Sequence, residues 1–288
     1  MRCLVTGVKG QLGYDIVKEL EKRGYTDILG LDYDEMDITN KEQVEKVVKT
    51  YHPAVIFHCA AYTAVDKAEE DIETCTKVNV DGTKNIAEVA KKIGSKLIYI
   101  STDYVFDGTK DGLYEVTDTQ NPKSIYGLTK YKGELEALKN DKTYVVRISW
   151  VFGINGKNFV KTMLKLSETK SELNIVSDQV GSPTYTVDLS RLLVDMAETD
   201  KYGVYHATNE GFVSWYYFAK SIFETNYIDM KLNPVPTSEY PTKAERPLNS
   251  RLSKKSLDDN GFKRLPSWED ALDRYSNELE NISYIKRK

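Results

Sequence analysis

The chain has little cysteine, no long apolar run and no surplus of positive charge. Its three cysteines, Cys3, Cys59 and Cys75, are spread over 288 residues. Their spacing suits neither a disulfide framework nor a thiolate metal site, so they read as small buried residues of a reducing, cytoplasmic compartment. No apolar stretch approaches the ~20 residues a membrane-spanning helix needs, and Lys9 interrupts the first apolar run, so no secretory leader is expected. The net charge of −4 and pI near 5.6 argue against nucleic acid or a membrane surface as the main partner. Internal repeats and low-complexity segments are also missing. The basic end, Lys286-Arg287-Lys288, is expected to be solvated. What remains is an ordinary globular composition, 40% hydrophobic and 29% charged, long enough for one large α/β domain or two unequal ones.

Short apolar runs alternate with stretches of helical period. Strands are expected at 2–6, 27–32, 54–61, 96–101 and 143–149. Helices are expected from Leu12 to a stop at Gly24, and over 41–51, 72–92 and 126–139. The strands are apolar on both faces, as in a parallel sheet covered by helices on both sides. The fold class is therefore α/β, a Rossmann-type doubly wound parallel sheet over 1–150 with a smaller C-terminal α/β substrate lobe over 151–288. After residue 150 the pattern loosens: helices at 159–166, 187–198, 215–224 and 267–280 (with Ser267 as N-cap), a short strand at 173–176, and a turn-rich segment at 234–247. A strand near 203–208 is expected to rejoin the main sheet.

The first strand runs into Gly7-Val8-Lys9-Gly10-Gln11-Leu12-Gly13 and then a helix. Three glycines there allow a tight turn, close approach of backbone to a pyrophosphate, and close helix–strand packing, while the helix N-terminus offers free N–H groups to phosphate. Asp32 ends the second strand, where a carboxylate can accept both hydroxyls of an adenine ribose, and no arginine follows to receive a 2′-phosphate. Asp37 and Ile38 would border the adenine. Ala60, Ala61 and Tyr62, after the third strand, lie where the sheet's switch point passes the pyrophosphate. The expected cofactor is NADH or NADPH, with Asp32 favouring the former.

Tyrosine is abundant, at 20 residues, and Y-x-x-x-K occurs five times: Tyr14/Lys18, Tyr126/Lys130, Tyr216/Lys220, Tyr227/Lys231 and Tyr284/Lys288. Spacing alone selects none of them. Tyr126/Lys130 opens the helix after the fourth strand, and that strand ends in Ser101-Thr102, so this pair can meet hydroxyls at the carboxyl edge of a parallel sheet, where ligands bind. A free phenol titrates near 10. A neighbouring Lys130 ammonium and an oxidised nicotinamide are expected to lower that value, with Tyr126 giving its proton to a ketone oxygen as hydride reaches carbon, Lys130 holding the nicotinamide ribose, and Thr102 bonding the same oxygen. Arg246, Asn249 and Arg251 cluster in a loop of the second lobe, and arginine forks suit a diphosphate.

Together these motifs resemble the extended short-chain dehydrogenase/reductases, and within them the dTDP-4-dehydrorhamnose reductase family. The matching stretches are GQLG (10–13), CAAYTAVDKAE (59–69), STDYVFDG (101–108), YGLTKYKGE (126–134), RISWVFG (147–153), DQVGSPT (178–184), VPTSEYPTKAERPLNSRL (235–252) and SWEDAL (267–272). The resemblance implies catalysis by Thr102, Tyr126 and Lys130, and a cofactor lined by Gly10, Gln11, Leu12, Asp32, Asp37, Ala60, Ala61 and Tyr62. It implies a dTDP-linked 4-keto-6-deoxy sugar touched by Asp103 and Trp150, and dTDP-L-rhamnose as product. Similar dehydratases carry a glutamate after Thr-Asp; Tyr104 stands there instead, which favours simple reduction. The alternatives are a non-catalytic sugar-nucleotide- and NAD-binding regulatory subunit, and another nucleotide-sugar reductase or epimerase of the superfamily. Some members dimerise around carboxylate-bound Mg²⁺. Asp15 could stand for one ligand, but Val187 occupies the place of another, with Asp188 one position off, so no metal is expected and the chain reads as a monomer or weak homodimer.

Overall fold

The computed structural model describes residues 1–282 and Tyr284; the expected solvated end Lys286-Arg287-Lys288 and Lys288 of the last Y-x-x-x-K pair lie outside the described residues. The elements run β1 (Cys3–Thr6), α1 (Gln11–Lys22), β2 (Ile28–Leu31), α2 (Lys41–Tyr51), β3 (Val55–His58), α3 (Val65–Ala68), α4 (Ile72–Thr76), α5 (Thr83–Ile93), β4 (Lys96–Thr102), α6 (Ile125–Ala137) and β5 (Thr143–Ile148). They continue with β6 (Val151–Phe152), α7 (Phe159–Ser167), β7 (Glu172–Val176), β8 (Val180–Gly181), β9 (Thr184–Tyr185), α8 (Thr186–Ala197) and β10 (Gly203–His206). Last come β11 (Val213–Ser214), α9 (Trp215–Thr225), β12 (Lys231–Val235), β13 (Asn249–Ser250), α10 (Lys255–Asp259) and α11 (Trp268–Asn281).

A six-stranded parallel sheet in the order β10-β5-β4-β3-β1-β2 carries the fold. Every residue of β1, β3 and β5 is buried, as both-face burial of a parallel sheet requires. Ile16 and Leu20 of α1 and Leu189 and Leu193 of α8 cover one face. Val44 and Val48 of α2, with Ile86 and Val89 of α5, cover the other. Strand order reverses between β1 and β3, so a crevice opens there at the carboxyl edge. β10 does rejoin the sheet, with Val204 beside Val145. The chain after residue 150 therefore serves two cores: α8 and β10 return to the sheet, while α7, α9 and α11 pack around Phe152, Phe218 and Tyr275.

Local chemistry sets the ends of the helices. Asn40, Ser124, Asn158, Ser214 and Ser267 each accept a backbone N–H in the first turn of the helix they precede. Gly24, with φ of +82°, follows α1. The 72–92 segment departs from the expected single α-helix, because α4 and α5 are joined by a π-turn at Lys77–Gly82. Among the described residues no helix is long and apolar enough to cross a membrane.

Helix α6 is fixed by a buried ion pair. Glu134 accepts two bonds from Arg147 of β5, from Nε at 2.9 Å and from Nη2 at 2.8 Å, and a third from Ser101 Oγ of β4 at 2.5 Å. Both charged side chains are almost fully buried. Removing one partner leaves the other charge uncompensated in the interior. Arg147→Met is expected to lower unfolding stability by about 3–5 kcal/mol in urea denaturation, and adding Glu134→Leu should recover most of that loss. An Arg147→Met protein as stable as the parent would show that the pair does not hold α6.

Candidate active site

At the carboxyl edge of the sheet, one cavity of about 900 Å³ is lined by the glycine loop, Asp32, Ala60–Tyr62, Thr102, Tyr126, Lys130 and Trp150. The glycine loop is a tight cradle. Gly7 has a φ of +74°, and its carbonyl accepts the Gly10 N–H at 3.0 Å. A Cβ on Gly13 would lie 2.3 Å from that same carbonyl oxygen, so α1 starts as close to β1 as backbone allows. The N-terminus of α1, capped by no side chain, then faces the cavity. This is the geometry that holds a dinucleotide pyrophosphate, and the loop fits the expected cofactor.

The remaining cofactor candidates line the same space. Asp32 accepts the N–H groups of Lys9 at 2.9 Å and Tyr33 at 2.8 Å, so its carboxylate is fixed at the end of β2. Asp37 closes a local turn by accepting Thr39 N–H and Oγ1, and Ile38 packs over Gly82 of the π-turn. Gln11 Oε1 accepts from Asn158 of the second lobe at 3.0 Å. Leu12 lies at the cavity wall. The Tyr62 backbone is held by Asn79, whose Oδ1 accepts Tyr62 N–H at 2.8 Å while Nδ2 donates to the Tyr62 carbonyl.

Thr102, Tyr126 and Lys130 come together as the sequence predicts. Ser124 caps α6, and a Cβ on Gly127 would lie 2.2 Å from the Tyr104 carbonyl, so the start of α6 is pressed against the turn after β4. Thr102 Oγ1 donates to Asp103 Oδ1 at 3.0 Å and accepts Tyr104 N–H at 3.2 Å. Lys130 Nζ sits 4.1 Å from the centre of the buried Tyr99 ring.

The charges differ from the expected scheme. Burial pushes the Tyr126 phenol well above its ordinary value, opposed by a hydrogen bond with Thr102. The expected lowering by Lys130 is not found: loss of solvent dominates at the phenol, and the ammonium rests on the Tyr99 ring. Burial lowers Lys130 itself to about 7, opposed by the charge of Glu134. Buried His58 is pushed down to about 3, first by burial and then by Lys130, and its two ring nitrogens meet Thr6 and Thr83 hydroxyls.

The substrate candidates divide. Asp103 is buried at the cavity wall, takes Ser250 Oγ at 2.5 Å, and is pushed up to about 6 by burial. Trp150 holds a φ of +49° and stacks on Trp215 with ring centres 3.6 Å apart. Arg246 reaches the cavity through Tyr104, donating to its hydroxyl at 3.0 Å and to Asp66 at 2.6 Å. Asn249 and Arg251 do not join it in a phosphate fork. The Asn249 amide donates to the carbonyls of Lys110 and Gly112, and Arg251 Nε donates to Asn249 Oδ1. Both brace the loop before Leu113.

Asn79, His58 and Glu134 escaped the sequence reading; of the three only His58, a polar residue inside the apolar strand β3, left a signal. Three of the other Y-x-x-x-K lysines lie elsewhere: Lys18 over the Tyr14 ring, Lys220 beside Glu224, Lys231 beside Glu172. The two carboxylates named for a metal-linked dimer, Asp15 and Asp188, both have partners within the chain. Asp15 is buried and accepts the Thr186 hydroxyl, Asp188 is held by Asn209 and Arg274, and Val187 offers no ligand.

Comparison with known proteins shows the family to which the chain belongs. The family model described as "RmlD substrate binding domain" matches residues 1–281. A dTDP-4-dehydrorhamnose reductase of Aggregatibacter actinomycetemcomitans is 43% identical over 285 residues, spanning 94% of this chain and 97% of the relative. A solved dTDP-4-dehydrorhamnose reductase from Clostridium acetobutylicum has a TM-score of 0.95 at 41% identity, covering 97% of this chain and 100% of that one. Another, from Bacillus anthracis in complex with NADP, has a TM-score of 0.94 at 42% identity, covering 96% and 99%. The chain belongs to the dTDP-4-dehydrorhamnose reductase family, a family of NAD(P)H-dependent oxidoreductases.

Proposed function

We propose that this protein reduces the C4 keto group of dTDP-4-dehydro-6-deoxy-L-mannose to give dTDP-L-rhamnose. The observation that carries the reading is the convergence of Thr102, Tyr126 and Lys130 on the cavity that the glycine loop also lines. A bound NADH or NADPH supplies the hydride. Tyr126 supplies the proton to the sugar oxygen, and a phenol held protonated by burial suits the reducing direction. Lys130, on the same face of α6, stabilises the phenolate left behind and holds the cofactor ribose. Thr102 orients the carbonyl through its hydroxyl.

Tyr104 supports reduction over dehydration. Dehydration needs a carboxylate beside the keto group to remove a proton, and Tyr104 is a phenol kept neutral, pushed up to about 12 by burial. Its ring stands edge-on to Tyr126 at 5.5 Å, and Arg246 fixes its hydroxyl. Asp103 and Trp150 are the residues we assign to the sugar nucleotide.

Adding the 4-keto sugar nucleotide to enzyme and NADH or NADPH should remove nicotinamide absorbance and yield dTDP-L-rhamnose by NMR. Tyr126→Phe should lower kcat by about 10²–10⁴-fold; turnover undiminished in that variant would sink the assignment. The pH profile carries a second expectation. A lysine lowered to about 7 is charged below that pH and loses its proton as pH rises through it. kcat/KM, which reports groups of the free enzyme, should therefore fall on the alkaline side of about 7, and a flat profile across that range would remove the ammonium from the mechanism.

A further inference from the structure

The turn after β2, at the rim of the cavity, carries an acidic collar, and the lysine within it is already engaged. Asp32 is fixed by the N–H groups of Lys9 and Tyr33. Glu35 folds back to accept the Asp32 N–H at 2.9 Å. Asp34 holds Lys9 Nζ at 2.6 Å, and Glu35 approaches the same ammonium at 3.8 Å. Lys9, Asp32 and Tyr33 all line the cavity. Three carboxylates face one ammonium, which leaves two negative charges uncompensated beside the place where Asp32 would receive the adenine ribose.

We infer that this collar selects a dinucleotide with a free ribose 2′-hydroxyl over one bearing a 2′-phosphate, so that NADH is the preferred reductant. The inference rests on the cofactor reading of the glycine loop given above and specifies its ligand. Asp32 can accept ribose hydroxyls, but a phosphate with about two negative charges meets repulsion from Asp32, Asp34 and Glu35. Lys9 is the natural counter-charge, and it is spent on Asp34 and Glu35. That exposed ion pair is itself worth little; the carboxylates it leaves behind are what discriminate. The 42% identical Bacillus anthracis relative was solved with NADP, so the fold accepts a 2′-phosphate, and the choice lies with the side chains at this rim.

The test is direct binding to the full chain, without sugar substrate. Titration calorimetry at low salt should give a dissociation constant about tenfold or more lower for NADH than for NADPH. The gap should narrow in ~0.5 M salt, because exposed charges are screened. The double variant Asp34→Asn, Glu35→Gln should shrink the NADPH-to-NADH ratio several-fold by releasing Lys9 and removing repulsion. Adding Lys9→Met to it should cancel much of the NADPH gain. Equal constants for the two cofactors in the parent protein, or a ratio unmoved by the double variant, would overturn the collar alone. Failure of both cofactors to bind would overturn the glycine-loop reading and the collar with it.

Discussion

One buried carboxylate organises the reactive end of this molecule. Glu134 lies on α6, four residues beyond Lys130, and is gripped by Arg147 from β5 and Ser101 from β4. Two adjacent strands and the helix that crosses them are thereby locked in one register. Thr102 follows Ser101, and Tyr126 and Lys130 share the helix with Glu134, so the three side chains we assign to the reaction inherit their spacing from a contact none of them makes. A pair this deep is costly to desolvate and is not a general source of stability. Its bonds are directional and reach both carboxylate oxygens, which suits a fixed geometry at a reaction centre.

Burial does more than charge pairing to set protonation here. The phenol of Tyr126 is pushed up, the ammonium of Lys130 down, and His58 kept neutral, all chiefly by loss of solvent. Burial thus favours the neutral forms of both Tyr126 and Lys130, and the charge of Glu134 works against that for Lys130. Opposed shifts of this kind in a cleft are what a site for proton exchange calls for.

The fold was largely legible because parallel strands buried on both faces are apolar throughout, and because the glycine loop and Asp32 fall at the ends of such strands. Choosing Tyr126 among five identical spacings needed only the position of the strand ending at Thr102. The π-turn at Lys77–Gly82 was hidden, since an extra residue per turn leaves the apolar face of 72–92 nearly continuous, and Asn79 on it reads as an ordinary surface residue. The two-residue strands β8, β9, β11 and β13 are too short to show a period. Arg246, Asn249 and Arg251 look alike in sequence; their separate fates depend on Asp66, Tyr104 and the 110–112 loop, which are distant along the chain. The direction of the Tyr126 shift could not be read from residue types, because it depends on how much water the fold removes.

The placement of β10 has a consequence for biosynthesis. β5, six residues buried along their whole length, leaves the ribosome well before its neighbour at Gly203–His206. During that interval it is an open hydrophobic edge, the kind of surface that recruits other strands. Its flank is covered only when α8, and with it Leu189 and Leu193, has been made. Much of the chain after residue 150 is thus translated while the sheet it interrupts is still unfinished, and prompt closure by β10 is what removes the exposed edge.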